Sequence, residues 1–182
     1  LRYRRDVTGV DATVGALFAG READGYHNRV LGLDGYWRPD EATQLRLEVL
    51  TSDTLYPDSI QSAFGQPAGA RSGHALRAAY HWSTRDWTVH ADYNDVSRDF
   101  RDDLGFIPQV DYRKEYAFVE RNFWGNGGDG HHWYSRLTWG AETTWTHDSQ
   151  GAPLQHQWAP YVSFAGPRQS NLMLYFGNGP SW

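Results

Sequence analysis

Residues 43–49, Thr-Gln-Leu-Arg-Leu-Glu-Val, decide the fold. Leu45, Leu47 and Val49 fall on one phase of a period of two, and Gln44, Arg46 and Glu48 fall on the other. Successive side chains of a strand point to opposite faces, so this segment is a strand with one apolar face and one wet face. Two further stretches repeat the pattern. Trp87, Val89, Ala91 and Tyr93 alternate with Thr88, His90, Asp92 and Asn94, and the run from Trp133 to Thr146 places Trp139, Ala141 and Trp145 against Arg136, Thr138 and Glu142. Weaker alternation runs through 14–20, 28–37, 75–82, 115–124, 157–164 and 172–176, where both phases carry apolar residues. The count is about nine strands, with Leu1 to Arg5 as the tail of a further one, and no capped amphipathic helix competes. The expected class is all-β, an antiparallel up-and-down meander in a single segment over 1–182.

Composition agrees. The chain has 182 residues, 40% hydrophobic and 21% charged, with 19 Gly, nine Trp, one Met and no Cys, which excludes disulfide and thiolate chemistry. A net charge of −5 offers no basic stripe for phosphates, so no nucleic-acid partner is expected. No apolar run is long enough for a transmembrane helix, but a mean hydropathy of −0.70 does not argue against strands that alternate between lipid and water.

The connections predict more. WRPDE at 37–41, STRD at 83–86, GNGGDG at 125–130 and AGPRQ at 165–169 read as compact turns. Between them come READGYH at 21–27, the stretches 52–73 and 95–113, and THDSQGAPLQ at 146–155, which read as longer loops. Short turns at one end and long loops at the other are the pattern of an outer-membrane barrel. Trp82, Trp87, Tyr93, Trp133, Trp145 and Phe164 sit near strand ends on the apolar phase, where interfacial girdles belong. Arg46, Glu48, Arg77, His81, His90, Asp92, Arg136 and Glu142 fall on the opposite phase and are the candidates for a hydrated lumen. The reading is therefore a segment of a transmembrane β-barrel with outer-membrane lipid as its partner. A soluble all-β carbohydrate-binding or hydrolase-associated domain is the alternative, and there the apolar faces would be buried against a second layer.

The segment Tyr93 to Arg113, YNDVSRDFRDDLGFIPQVDYR, resembles the most characteristic stretch of a bacterial family of uncharacterised outer-membrane β-barrel domains. These domains follow a family-nine-type carbohydrate-binding module. RYRRDVTG at 2–9 running into TVGALFAGR at 13–21, and NRVLGLDGYWRP at 28–39, are similar to the family's recurring strand-turn-strand pattern. The resemblance covers roughly positions 2–140. It implies outer-membrane localisation and an interior piece of a larger protein, with the remainder of that chain and saccharide as partners. It implies no established catalytic residues; the function expected is transport or surface presentation linked to saccharide, with no cofactor.

Other clusters read as structural. Asp95, Asp99, Asp102, Asp103 and Asp111 match no EF-hand spacing, and the interleaved Arg98, Arg101 and Arg113 predict a loop held by Asp and Arg pairs. Gly105, Phe106 and Pro108 predict a turn that folds this loop back over the lumen. His131 and His132 point to opposite faces, so they do not chelate one ion together. His81 and His90 are expected to meet across the sheet beside Asp92. Ser135 with His90, or Ser163 with His156, are the only hydrolase-like pairings, and neither has a nucleophile-elbow context, so no enzyme is expected.

Overall fold

The computed structural model describes residues 1–125 and 133–178; His131, His132 and the last four residues lie outside the described residues. Ten strands form one antiparallel sheet in chain order. They are β1 (Arg2–Asp6), β2 (Ala12–Ala23), β3 (Tyr26–Trp37), β4 (Thr43–Leu55), β5 (Arg71–Ser83), β6 (Trp87–Val96), β7 (Tyr112–Trp124), β8 (Arg136–His147), β9 (Pro153–Ala165) and β10 (Asn171–Tyr175). Each strand pairs only with its neighbours in sequence, and β1 and β10 are free edges, so the sheet is not closed into a barrel.

Several boundaries differ from expectation. β8 begins at Arg136, so Trp133 and Ser135 precede it. β4 continues past Val49 to Leu55, and the following segment contains a short helix, α1 (Asp58–Phe64), where the sequence predicts none. The 21–27 segment is mostly strand, with only Asp24 and Gly25 between β2 and β3. Gly25 sits at φ +65°, a left-handed conformation that glycine adopts without steric cost. The expected alternation of turn lengths therefore holds only in part. Residues 56–70 and 97–111 are long, 148–152 is compact, and 125–135 separate β7 from β8 at the end expected to carry tight turns.

Register sorts the side chains. Directly opposed residues of an antiparallel pair share a face. Leu47 faces Gly35 and Ala78, Val49 faces Leu33 and Leu76, and Trp82 faces Val89, so the apolar phases of β3 to β6 merge into one face. That face is uncovered: Leu33 is 62% exposed, Leu47 51% and Trp158 51%. Among the described residues only Val30, Phe100, Ala159 and Tyr161 form a buried hydrophobic core. The chain exposes 12201 Å², whereas a compact monomer of 20.8 kDa exposes about 8,900 Å² by the usual mass scaling. No second layer covers the apolar face among the described residues.

The face has a boundary. Toward the end carrying the 56–70 and 97–111 loops, Leu45, Leu47 and Val49 give way to Thr51 and Asp53, and the same shift occurs on the neighbouring strands. Ion pairs line this edge, Arg29 to Glu22 at 2.7 Å and Arg113 to Asp95 at 3.0 Å, and His27 Nε2 lies 3.0 Å from the Asp53 carboxylate.

The strands are also staggered. The row of facing residues through Val14, Leu47 and Tyr93 starts two residues from the turn end of β2, Ala12 to Val14, and finishes nine residues from that end of β9, His156 to Ala165. Nine minus two is seven residues over the seven steps from β2 to β9, or about one residue per strand. At about 3.3 Å per residue and about 4.8 Å between strands, this corresponds to a tilt of about 35°.

Gly25→Val places a β-branched residue at φ +65° and is expected to destabilise the sheet by about 1–2 kcal/mol. A lower denaturant midpoint than for Asp24→Asn checks this.

Candidate functional site

The face opposite the apolar one carries the chain's polar chemistry. All eight sequence-predicted residues, Arg46, Glu48, Arg77, His81, His90, Asp92, Arg136 and Glu142, lie on it by register. The tight turn at 84–86 sets the pairing of β5 with β6, making His81 and His90 direct partners with rings 5.7 Å apart. His90 Nε2 contacts the Asp92 carboxylate, and Arg77 approaches the same carboxylate at 3.6 Å. Arg46 lies over the Tyr36 ring at 5.6 Å. These side chains border an open cavity of about 230 Å³ lined by Gln44, Arg46, Arg77, Ala79, His81, His90 and Asp92. Arg136 stands apart, over Trp124 at 5.8 Å.

Further across the sheet the carboxylates are held by neutral donors. Tyr116 Oη donates to Glu142 at 3.0 Å. Tyr161 Oη donates to Glu120 at 2.5 Å, Asn122 Nδ2 donates to the other Glu120 oxygen at 3.1 Å, and Thr138 Oγ1 donates to Asn122 at 2.6 Å. Sequence reading missed Tyr116, Glu120 and Tyr161, because β7 carries apolar residues on both phases and its register is not readable from a turn. Period two counted from Asp92 through the β6–β7 pairing reaches Tyr116 and Glu120, and Tyr161 of β9 follows only through β8, by the pairs Glu120 with Gly140 and Gly140 with Tyr161.

The 97–111 loop folds onto this same face. Phe100 is fully buried against Gly73 of β5, where any Cβ would run into the Phe100 backbone. Asn28, itself buried, uses every polar atom of its amide: Nδ2 donates to Thr54 Oγ1 at 2.8 Å and to the Arg101 carbonyl at 3.0 Å, and Oδ1 accepts from the Asp103 N–H at 3.0 Å. The Arg101 N–H donates to Ser52 Oγ at 3.1 Å. The Asp103 carboxylate accepts from Tyr26 at 2.6 Å and from Tyr56 at 2.8 Å. The expected fold-back is present, but Phe100 to Asp103 make it. Phe106, expected at the inward turn, is 87% exposed at the apex.

The acidic cluster is held largely as its interleaved arginines suggest. Arg98 pairs with Asp111 at 2.8 Å and Arg113 with Asp95 at 3.0 Å. Hydrogen bonds from Ser149, then from Arg98, hold the Asp111 carboxyl below its ordinary value. Arg101 departs from the expectation and donates instead to the Arg98 and Phe100 carbonyls. Neither hydrolase-like pairing forms. Ser163 and His156 lie on opposite faces of β9, and Ser135 Oγ donates to the Ala165 carbonyl at 3.0 Å.

Family models, characterised proteins and solved structures give no match to this chain. The site therefore stands on its own geometry: a wall of paired charges and tyrosine-held carboxylates, overhung at one end by a docked loop.

Asp103→Ala leaves two tyrosine hydroxyls without their acceptor, at about 1–3 kcal/mol for each such group, so tryptic cleavage within 97–111 should accelerate at least about tenfold. Burial, and then the hydrogen bond to Asp103, push the Tyr56 hydroxyl up to about 12. A raised tyrosine value stabilises docking fully below its unfolded value of about 10, and that contribution is lost as pH rises through the folded value. Phenolate absorbance should show Tyr56 ionising late in the intact protein and at a lower pH in Asp103→Ala, which removes the hydrogen bond but not all of the burial.

Proposed function

We propose that this chain forms part of the wall of a β-barrel in a bacterial outer membrane, with its apolar face against lipid and its polar face lining a hydrated passage. The observation that carries the reading is the uncovered apolar face, bounded by ion pairs such as Arg29 to Glu22. In water such a face is an aggregation liability, whereas in a bilayer it is the required surface. The face runs about 20 Å along β6, from Trp87 to Tyr93, which at a tilt of about 35° is about 16 Å of height and fits inside the apolar band of about 25 Å of an outer-membrane barrel. The stagger of about one residue per strand supports it too, since closed barrels need strand tilts of about 35–45°. The free edges of β1 and β10 need strand partners in lipid, which the remainder of a larger chain would supply.

On this reading the polar wall is the lumen side, and the loop anchored by Asp103 narrows the mouth. The activity is passage of a solute or presentation at the cell surface, with saccharide as the candidate solute, and no catalytic step is assigned. A soluble saccharide-binding domain is less favoured, because it would need a second layer over Leu47 and Trp158.

Wild-type chain should partition into the detergent phase and show heat-modifiable mobility. Leu47→Arg, on the apolar face, should lose assembly by about 2–4 kcal/mol, the cost of a basic residue facing mid-bilayer, while Glu48→Gln next to it assembles normally. Full solubility of wild type without detergent would refute the assignment.

A further inference from the structure

One cation interrupts the apolar face well away from its ion-paired edge. Arg121 of β7 lies on that face, directly between Trp87 of β6 and Trp139 of β8. Its guanidinium sits 4.8 Å from the Trp87 ring centre and 4.7 Å from that of Phe123. Trp87 and Trp139 meet edge to face at 6.1 Å. Arg121 Nε is buried with no hydrogen-bond partner, and among the described residues no carboxylate forms an ion pair with this arginine, the nearby Asp86 included. Ring faces stabilise a guanidinium but accept no conventional hydrogen bonds, so the buried Nε–H has no acceptor and the terminal N–H groups bond to no described residue.

The register extends the site toward the opposite edge. Six residues from Arg121 along β7, Glu115 lies directly between Tyr93 and Trp145. Between these two aromatic-flanked positions β7 presents only Val119 and Ala117 to the apolar side, and their cross-strand partners, Val89 and Ala141 for the first and Ala91 and Thr143 for the second, are no larger than valine. The result is a slot about 20 Å long, framed by aromatic rings at its corners, floored by small side chains and closed at one end by an unsatisfied cation.

We propose that this slot binds one phospholipid, its phosphate on Arg121 and an acyl chain laid over Val119 and Ala117. A phosphodiester supplies the acceptors that Arg121 lacks, in the forked geometry a guanidinium prefers. The tryptophans on either side suit the boundary between headgroups and hydrocarbon. The proposal rests on the membrane reading and adds to it a lipid partner and the orientation of the strands, with the Arg121 end at a headgroup layer.

The test is quenching of tryptophan fluorescence in the full chain, folded in detergent and titrated with phosphatidylglycerol carrying dibrominated acyl chains. Wild type should be quenched saturably. Arg121→Gln should weaken binding about tenfold, with partial recovery in Arg121→Lys, and Ala117→Phe should remove the saturable component by filling the floor. Heat-modifiable mobility verifies that each variant is folded. Identical titrations for wild type, Arg121→Gln and Ala117→Phe would overturn the proposal. Displacement of the lipid by an excess of inorganic phosphate would also overturn it, making Arg121 a free-anion site. A chain that neither partitions into detergent nor is quenched by any lipid would overturn the membrane reading itself, whereas partition with indifferent titrations would overturn the slot alone.

Discussion

Cross-strand register is the constraint on which everything else depends. In a sheet with period two, a slip of one residue between any two strands moves a whole set of side chains to the other face. Here the pairings hold without a slip from β1 through β10, apart from one irregularity beside His147. Leu33, Leu47, Ala78 and Trp139 therefore stay on one side, while Asp34, Arg46, Arg77 and Glu142 stay on the other. Among the described residues nothing packs against the apolar side to enforce this, so burial against a second layer, the usual source of register specificity, does not operate there. The membrane reading supplies it: lipid rewards one register and penalises its neighbour by the cost of every charge turned outward.

The polar side is specified differently. On β6 to β9 the side chains crowd each other, and Tyr161 is buried by Phe118, Tyr175 and its bond to Glu120. On β3 to β5 the same role falls to the 97–111 loop. It buries Val30, Ser52 and Thr54 beneath Phe100 and fixes itself through the fully used Asn28 amide. A network satisfied at every atom gives one arrangement rather than many. The loop is thus a built part of the polar face, and on the barrel reading it sets the width of the mouth.

How much was legible in the sequence follows from these two mechanisms. Thr43 to Val49 was readable because one face is wet and the other dry. The continuation to Leu55 was not, because beyond Leu50 the polarity pattern breaks: Thr51 and Asp53 lie outside the apolar band, while Ser52 and Thr54 are covered by a loop whose docking no local pattern announces. The meeting of His81 with His90 was readable because a tight turn fixes that register. The Asp24-Gly25 turn was obscured by polar residues on both sides, although Asp-Gly is itself a hairpin signal. The register puts the eight polar residues on one side of the sheet, and their tyrosine partners depend on the pairing of β7 with β6 and β8 and of β8 with β9, which is a tertiary fact.

The most direct measurement of the central claim is the accessibility of single nitroxide labels placed in turn from Leu45 to Asp53 in the membrane-inserted protein. The account predicts that labels at 45, 47 and 49 collide with oxygen dissolved in lipid and are shielded from a water-soluble relaxer. Labels at 46 and 48 should behave oppositely, and the lipid signal should end by position 53. Uniform accessibility to the water-soluble relaxer along the whole stretch would contradict the account.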